Sequence, residues 1–539
     1  MLKRLWRSPC SEPGMAAIYA ASCRCVVTGA VLCALTGCTS PPGSPAPQVP
    51  NAMQEALGTA PPGLAPDVWK DVRALYERRG EERLWTRDPV MAQAAAAVDV
   101  LQQAPEHGLS TADYLDDDLA RALTPEVPPT ADAPGHGIQE LARLDVRVTS
   151  ALLALGHDVA LGRTKPEAVD PRWKARRTPP DFVGTLSEAV RSEELGTWLN
   201  AVRPVHPEYA ALQKALSTLW AQQGKRAGDR ARRLAINLER WRWMPNDLGE
   251  RHILVNVPAF HLIVREQRRP VLDMRVVVGK DGRETPIFSS RMATIVFSPY
   301  WNVPDSIAEG EIIPAAASDP DYLFRNEFEV FRPGKRGNAV IDGDSVNWSD
   351  PKGVKPLVFR QKPGPVNALG HVKFLFPNPY DVYLHDTPSA GLFASEGRAF
   401  SHGCVRVEHP VELAKYLLRN RPEWTDEKIA AAMDRETEQP VPLTERLPVH
   451  IFYFTAWPRA NGGVDSWPDV YGYDARQAAV AEARQAPSRN AAAKPAAAVK
   501  KPPAAGKTAA ARKPVPPTKS ATAKKPAAKQ PAAKQPAKK

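Results

Sequence analysis

Cysteine is almost absent from the chain after its first 38 residues. Five of the six cysteines lie at or before Cys38, and the sixth is Cys404. If the N-terminus is removed at or before Cys38, one thiol remains, which excludes an internal disulfide framework and a zinc site built on several thiolates. The eleven histidines are scattered without the spacing of metal ligands. We therefore expect no metal site.

Apolar runs long enough to span a bilayer are missing as well. The N-terminal run at residues 26–34 follows several basic residues and is too short to cross a membrane. This layout is typical of a signal peptide. Residues 35–38 (Leu-Thr-Gly-Cys) resemble a bacterial lipobox, whose cysteine is lipidated and becomes the new N-terminus. We expect residues 1–38 to be a signal peptide and Cys38 to anchor the protein in the periplasm; the alternatives are cleavage elsewhere or a start at Met15.

Acidic residues are nearly missing from the C-terminal tail. Residues 476–539 contain 16 Lys and Arg and one acid, Glu482, so the net charge of +11 belongs to this tail. This distribution argues against a nucleic-acid-binding domain, whose basic residues would lie on the fold. Ala, Lys and Pro dominate residues 475–539, which we predict to be disordered. The basic charge serves either solubility or attachment to anionic envelope polymers.

The periodicity of apolar residues divides the rest of the chain. Residues 39–66 are rich in proline and predict an extended spacer. Apolar residues then recur at intervals of three and four, which predicts a helical domain over residues 67–250. From residue 251 to 456 the period changes to two, which predicts a mostly β domain. Within it, residues 305–365 are irregular but contain scattered aromatics, which indicates an inserted lid or subdomain. The fold class is multidomain α+β. Two helices are predicted in the β domain, near residues 410–420 and 426–435.

Cys404 is the first candidate for chemistry. A lone cysteine in an exported chain is either a small buried hydrophobic residue or a nucleophile, which needs a base within hydrogen-bond reach. His402 and His385 are the candidate bases. Residues 380–385 alternate like a strand, which would place Tyr383 and His385 on one face. A histidine at a strand end can reach a loop cysteine, whereas the turn holds His402 beside the thiol, so geometry favours His385.

His385, fifteen intervening residues and then Ser-His-Gly-Cys at 401–404 resemble the signature of the L,D-transpeptidases, the YkuD-type cysteine enzymes that cross-link bacterial peptidoglycan. The resemblance covers about residues 67–456 and points to the larger, scaffold-bearing class of Gram-negative bacteria. One departure is that the peptidoglycan-binding module common in that class is missing before the catalytic domain. The segments that carry the wider resemblance are residues 104–109, 300–304, 367–370, 372–374 and 376–378.

The resemblance implies a role for each residue around the thiol. Cys404 would be the nucleophile and His385 the general base. Backbone N–H groups around Gly403 and Cys404 would face the developing oxyanion. His402 would be a structural or substrate-contacting residue. Asp386 would point to the opposite face from its neighbour, so we expect a backbone carbonyl, rather than the Asp386 carboxylate, to orient His385.

Other residues would contact substrate. Arg406 would pair with a stem carboxylate, or form a salt bridge inside the domain. Tyr383 and Trp301 would line the groove, or pack in the core. The implied reaction releases D-alanine from a tetrapeptide stem and forms a 3→3 cross-link without a cofactor, and carbapenem-type β-lactams would acylate the thiol. The alternatives are an L,D-carboxypeptidase, which resolves the same acyl-enzyme with water, and a non-catalytic envelope scaffold.

Overall fold

The computed structural model describes residues 51–86, 91–123, 137–174, 177–335 and 337–491. The predicted signal peptide with Cys38 and the tail beyond residue 491 lie outside these ranges. Inside them, no helix is both long enough and apolar enough to cross a bilayer. The described residues form two compact units. The first contains residues 51–105, 109–157 and 180–203, and the second contains residues 106–108, 158–179 and 204–491.

The first unit is built from helices. They are α1 (Ala52–Ala56), α2 (Pro66–Arg78), α3 (Met91–Gln102), α4 (Asp117–Leu123), α5 (Ile138–Leu161, whose last turn belongs to the second unit), α6 (Phe182–Arg191) and α7 (Trp198–Val202). In α2, Val68, Val72 and Leu75 are buried at spacings of four and three, as the apolar period predicts. Helix α1 lies within the stretch predicted to be an extended spacer. Its first turn is capped by the side chain of Asn51, which accepts the Met53 N–H.

Asp145 on α5 organises the core of this unit. Its side chain is fully buried. Its carboxylate accepts the backbone N–H groups of Leu84, Trp85 and Thr86 at 2.7, 2.7 and 2.9 Å, and the Tyr76 hydroxyl at 2.7 Å. Burial and the negative charge of Asp145 raise the pKa of Tyr76 well above its usual value, so the hydroxyl stays a donor. A buried carboxylate is tolerated only when it is satisfied in this way, so these bonds fix the loop at 84–86 onto α5.

The second unit begins with two helices, α8 (Pro207–Gln223) and α9 (Gly228–Arg242), and continues as strands. The strands are β1 (Arg251–Asn256), β2 (His261–Glu266), β3 (Arg269–Gly279), β4 (Phe288–Phe297), β5 (Trp301–Asn302), β6 (Phe328–Gly334), β7 (Gly337–Ile341), β8 (Val358–Gln361), β9 (Val372–Leu375), β10 (Leu384–His385), β11 (Ala399–Ser401), β12 (Val405–Val407), β13 (Gln439–Phe452), β14 (Ala456–Pro458) and β15 (Val464–Ser466). Nine of them form one sheet in the order β11-β3-β12-β10-β9-β4-β13-β1-β2, and β2 also pairs with β3, so the sheet closes on itself.

The interior of this closed sheet is apolar. Ile253 and Val255 of β1 and Leu262 and Val264 of β2 are fully buried in one hydrophobic core. They alternate with residues that face outward, because successive side chains of a strand point to opposite faces. The two strands are separated by a turn that contains Pro258.

Residues 305–365 build a subdomain with a hydrophobic core of its own. Its helices are α10 (Asp305–Ile307), α11 (Ile313–Ser318), α12 (Tyr322–Arg325) and α13 (Pro351–Val354), with a π-helical turn at Ala308–Ile312. Strands β5 to β8 form a second sheet in the order β5-β8-β6-β7. The core contains Ile307, Ile312 and the fully buried Phe359. Because these elements are short, their sequence shows no long period.

Three further helices follow: α14 (Pro410–Leu418), α15 (Asp426–Met433) and α16 (Tyr473–Ala491). The first two confirm the helices predicted in the β domain. Helix α16 differs from the prediction, because residues 475–491 were assigned to the tail. Its first turns are held by buried polar contacts that the composition does not reveal. Arg240 of α9, fully buried, lies 2.7 Å from the Asp474 carboxylate and donates to the Gln477 side chain at 3.0 Å.

We predict that Asp145→Ala destabilises the helical unit by about 3 kcal/mol, because three backbone N–H groups lose their buried acceptor. Asp145→Asn keeps part of that acceptor and should lose less. Urea denaturation followed by circular dichroism measures both. Asp99→Ala, at an exposed position of α3, is the matched control and should change stability by less than about 0.5 kcal/mol. Equal stability of the Asp145→Ala and Asp99→Ala proteins would contradict the role of this carboxylate.

Candidate active site

The parallel pairing of β10 with β12 brings four side chains to one face. His385 lies opposite Arg406 in the register, and the Val405 N–H donates to the Tyr383 carbonyl at 3.1 Å. Tyr383 and His385 are two residues apart, as are Cys404 and Arg406, so each pair shares a face. The ring centroids of Tyr383 and His385 are 5.7 Å apart. The structure therefore brings together the predicted nucleophile, the predicted base and two predicted substrate-binding residues.

The strand predicted at residues 380–385 is shorter in the structure, where only Leu384–His385 pairs. The Asn378 side chain explains the difference. Its amide donates to the Val382 carbonyl at 2.8 Å, and its oxygen accepts the Tyr380 N–H at 3.0 Å. Asp381 has a φ of 53°. These bonds hold the segment in a turn that ends just before the strand begins.

Tyr383 and Asp381 surround the thiol of Cys404. The residue is half-buried, and Tyr383 hydrogen-bonds to the sulfur through both its backbone N–H and its hydroxyl. The S–H faces the Asp381 carbonyl at 3.8 Å. Burial raises the pKa of Cys404 to about 11, although the Tyr383 hydrogen bonds and the charge of Arg406 act to lower it. The thiol is therefore protonated at neutral pH and needs a base.

A backbone carbonyl orients His385, as predicted. Its Nδ1 lies 2.5 Å from the carbonyl oxygen of Asp386. Because a carbonyl only accepts, Nδ1 carries the proton and Nε2 keeps the lone pair that a general base uses. The Asp386 carboxylate is engaged elsewhere, since it accepts the backbone N–H groups of His371 at 2.8 Å and Thr387 at 2.7 Å.

Burial and two neighbouring cations keep the imidazole neutral. Burial, together with the charges of Arg406 and Lys373, lowers the pKa of His385 to about 3, although the hydrogen bond to the Asp386 carbonyl acts to raise it. Lys373 lies opposite His385 on β9. Among the described residues, the hydrogen bonds of the Cys404 thiol do not include one to the imidazole. Transfer of the thiol proton therefore requires the Cys404 side chain to turn from Asp381 towards His385, a rearrangement that is common between free and substrate-bound sites.

Gly403 shapes the loop that presents the thiol. Its φ of 119° is unfavourable for residues with a side chain. The Thr285 hydroxyl donates to its carbonyl at 2.8 Å, and its N–H donates to the Ser401 hydroxyl at 3.1 Å. In this structure the Ser401 hydroxyl accepts the Gly403 N–H, so the oxyanion role of Gly403 stays a prediction that requires this hydrogen bond to be exchanged. The Cys404 N–H has no acceptor in the described part of the chain and is the donor that stays available.

His402 points away from the thiol chemistry. Its Nε2 lies 2.8 Å from the carboxylate of Glu311, in the π-helical turn of the inserted subdomain. Burial lowers the pKa of His402, and the charge of Glu311 opposes this shift. The pair connects the inserted subdomain to the loop that carries Cys404. His402 therefore serves as a contact between loop and lid.

The other two predicted substrate-binding residues have different outcomes. Arg406 makes no ion pair within the described residues, and its Nε is buried without a partner, so the alternative of an internal salt bridge is not observed. Its guanidinium stays available to an anion. Trp301 instead packs on the core of the inserted subdomain, with its ring centroid 6.2 Å from that of Phe328. The structure thus favours core packing for Trp301.

Sequence reasoning missed four residues that support the site. Glu311 binds His402, Lys373 faces His385, and Ser401 and Thr285 hold the Gly403 loop. Ser401 lies inside the recognised motif and Lys373 lies in the segment 372–374 that carries part of the wider resemblance, whereas Glu311 and Thr285 are distant in sequence and carry no local signal. In the described ranges, no three His, Cys, Asp or Glu side chains converge as metal ligands would.

Comparison with known proteins identifies both parts of the chain. Residues 70–216 match the family model of the scaffold domain, and residues 250–441 match that of the L,D-transpeptidase catalytic domain. The second match contains Cys404, His385 and Arg406. Residues 250–441 are therefore similar to L,D-transpeptidase catalytic domains.

Individual relatives cover part of the chain. A Haemophilus influenzae protein with a provisional L,D-transpeptidase name is 35% identical over 250 residues, which are 46% of this chain and 49% of that protein. The chain thus spans about half the length of this curated relative. Among solved structures, an L,D-transpeptidase from Mycobacterium smegmatis is 14% identical, with 38% of this chain and 58% of that chain covered and a TM-score of 0.19. L,D-transpeptidase 1 of Mycobacterium tuberculosis is 13% identical, covering 38% and 61%, with a TM-score of 0.15.

We predict that Tyr383→Phe raises the pKa of Cys404. In the parent protein the hydrogen bond from the Tyr383 hydroxyl lowers that pKa, and the variant lacks this bond. The rate of Cys404 alkylation by iodoacetamide at pH 7 should fall about three- to tenfold, and its midpoint should shift to higher pH. Mass spectrometry of the Cys404 peptide measures the rate. Tyr380→Phe is the control, since that hydroxyl donates to the Arg172 carbonyl. An unchanged pH profile in Tyr383→Phe would show that its hydroxyl does not act on the thiol.

We predict that Glu311→Gln loosens the inserted subdomain over the thiol loop. The pair is partly exposed, so amide exchange of residues 308–318 should rise only about twofold. The pKa of His402 should fall, because the carboxylate that raises it is gone. Hydrogen exchange and an NMR titration of the imidazole measure the two effects. Glu309→Gln, on the same turn and exposed, should change neither; equal effects of both variants would refute a specific contact.

Proposed function

We propose that this protein is a peptidoglycan L,D-transpeptidase that works through a cysteine acyl-enzyme. The donor would be a tetrapeptide stem whose third residue is a diamino acid and whose fourth is D-alanine. The observation that carries the proposal is the cluster of Tyr383, His385, Cys404 and Arg406 on one face of β10 and β12, inside a matched L,D-transpeptidase domain. The acceptor would be the side-chain amine of a second stem.

The proposed reaction has two steps. In the first, Nε2 of His385 takes the thiol proton while Cys404 Sγ attacks the carbonyl that joins the third residue to D-alanine. The Cys404 N–H stabilises the oxyanion. The C–N bond breaks, the imidazolium returns the proton to the leaving amine, and D-alanine departs. In the second step, the acceptor amine attacks the thioester, loses a proton through the imidazole, and the thiol is regenerated with a 3→3 cross-link.

Arg406 gives the proposal its substrate class. A buried guanidinium with an unpartnered Nε favours an anion beside the thiol. A stem peptide supplies carboxylates on both the diamino acid and the terminal D-alanine. The same arrangement would serve an L,D-carboxypeptidase, which differs only in that water resolves the thioester. A non-catalytic envelope scaffold is disfavoured, because the thiol, the oriented base and the cation are all in place.

We also propose that the protein works in the periplasm, anchored through lipidated Cys38. The support is the N-terminal sequence, with its apolar run and lipobox-like end. The basic tail would bind anionic envelope polymers, for which its charge is the only support. Fractionation of cells that express the chain, with Cys38→Ala as the comparison, tests the anchor.

The test of the proposed function is incubation of the full chain with disaccharide-tetrapeptide, followed by intact-protein mass spectrometry and product analysis. We expect a transient adduct on Cys404, free D-alanine and a 3→3 dimer. His385→Gln should slow adduct formation at least about a hundredfold, because the general base is lost. Carbapenem should give a stable adduct that Cys404→Ala does not form. Tripeptide without dimer would establish the carboxypeptidase, and folded protein with neither adduct nor product would refute catalysis.

A further inference from the structure

A large groove lies on the outer face of β1, β2 and β3. It has a volume of about 1000 Å³. Its floor is set by the strand register, in which Leu254 lies opposite Ile263 and Ile263 opposite Asp273, while Asn256 lies opposite His261. These residues alternate with the buried interior residues of the same strands, so they face outward. The site described above takes no residue from this floor.

Three aromatic rings are accessible along the groove. Phe400 is 44% exposed, and Trp457 and Trp467 are half-buried. All three line the groove. Trp457 is fixed by stacking on Phe452, with ring centroids 5.6 Å apart and planes at 3°. The Arg265 guanidinium also lies over the Trp457 ring, 5.6 Å from its centroid, so the faces on which a flat, partly apolar ligand can stack are those of Phe400 and Trp467.

Several polar side chains beside these rings have hydrogen-bonding capacity that the protein does not use. Glu396 is exposed and makes no hydrogen bond or ion pair among the described residues. His261 and Asp273 pair at 2.8 Å on the open surface. Arg398 is 8% exposed, and its Nε is buried without a partner, although its other nitrogens donate to the carbonyls of Ser395 and Phe260. The groove side chain left accessible and without a partner is therefore the carboxylate of Glu396, which can accept hydrogen bonds from a ligand.

We propose that this groove binds a β-1,4-linked amino-sugar strand, the glycan of peptidoglycan. Pyranose rings have an apolar face, which stacks on aromatic rings, and an edge of hydroxyl and acetamido groups. The hydroxyl groups would donate to Glu396 and Asp273. An uncharged polymer suits this groove better than an anionic one, because its accessible charged side chains include the carboxylates of Asp273 and Glu396. The inference rests on the proposed function and extends it, because it names the surface that would bind the glycan of the same substrate.

The groove and the thiol belong to one continuous segment. Phe400 in the groove wall is four residues before Cys404, so their Cα atoms are at most about 15 Å apart. A stem peptide leaves the glycan at its first residue, and the carbonyl that reacts is at its third, about 10 Å away when extended. A glycan in the groove can therefore present its stem to the thiol. An acyl chain or a membrane surface would suit the apolar floor but not Glu396 and Asp273.

The test uses the full chain carrying Cys404→Ala and peptide-free glycan, so that it is independent of the acyl transfer. Isothermal titration calorimetry with N-acetylated chitotetraose and with N-acetylated chitohexaose, both uncharged, measures affinity. We expect binding by the parent, at least tenfold weaker binding for Trp467→Ala, and about threefold weaker binding for Glu396→Gln. Trp220→Ala, which removes a tryptophan of comparable exposure from α8, should bind as the parent does.

A second readout uses the wild-type cysteine. Trp467→Ala should raise KM at least fivefold for disaccharide-tetrapeptide, with kcat unchanged, and should leave KM for the free tetrapeptide unchanged. Circular dichroism confirms that each variant is folded, and Glu396→Gln removes no packing. The proposal is overturned if the parent does not bind either glycan, if folded Trp467→Ala binds as tightly as the parent, or if lipid vesicles rather than glycan compete for the groove. Glycan binding without any transpeptidation would refute the proposed function while leaving the groove assignment intact.

Discussion

The candidate site depends on the parallel register of two very short strands. β10 and β12 contribute two and three residues, yet their alignment decides which side chains meet. A shift of one residue would turn His385 or Arg406 to the other face of the sheet. The register is held from outside the pair. β9 and β3 flank it in the closed sheet, and hydrogen bonds from Ser401 and Thr285 hold the loop that precedes β12.

The charge of Arg406 links the three groups that would carry the reaction. It favours the Cys404 thiolate and disfavours the His385 imidazolium. Both groups are neutral in the free protein near pH 7, because burial disfavours the charged form of each. A charged pair therefore forms only when the proton moves, and an anionic substrate at Arg406 would weaken the bias against the imidazolium. The site is therefore arranged so that the thiolate and the imidazolium form during the reaction and are not present in the free protein.

Much of this arrangement follows from the sequence. The change from a helical period to an alternating one places the boundary between helical and β regions near residue 250. The alternation of residues 380–385 and the resemblance to the family motif favour His385 over His402 as the base for Cys404. What could not be predicted depends on contacts between distant residues. The Asn378 turn shortens a strand that alternation extends, and Arg240 holds the first turns of α16 through Asp474 and Gln477, where the composition indicates a tail. The hydrogen bond that occupies the Gly403 N–H could not be predicted either, because it depends on the position of the Ser401 hydroxyl.

The inserted subdomain bears on the choice between amine and water as the second substrate. A thioester survives until an amine arrives only if water is kept from it, and exclusion of water requires a cover over the thiol. The Glu311–His402 pair joins the inserted subdomain to the loop that carries Cys404, so this subdomain is the candidate for such a cover. The pair is partly exposed and is accompanied by a hydrogen bond from Arg283 to the Ser306 hydroxyl, and each of these contacts has a small energetic value. A cover held this weakly can open for two peptide stems in succession, whereas a cover sealed by a hydrophobic interface would block the acceptor. The weakness of the contact is thus consistent with a reaction that needs two large substrates at one thiol.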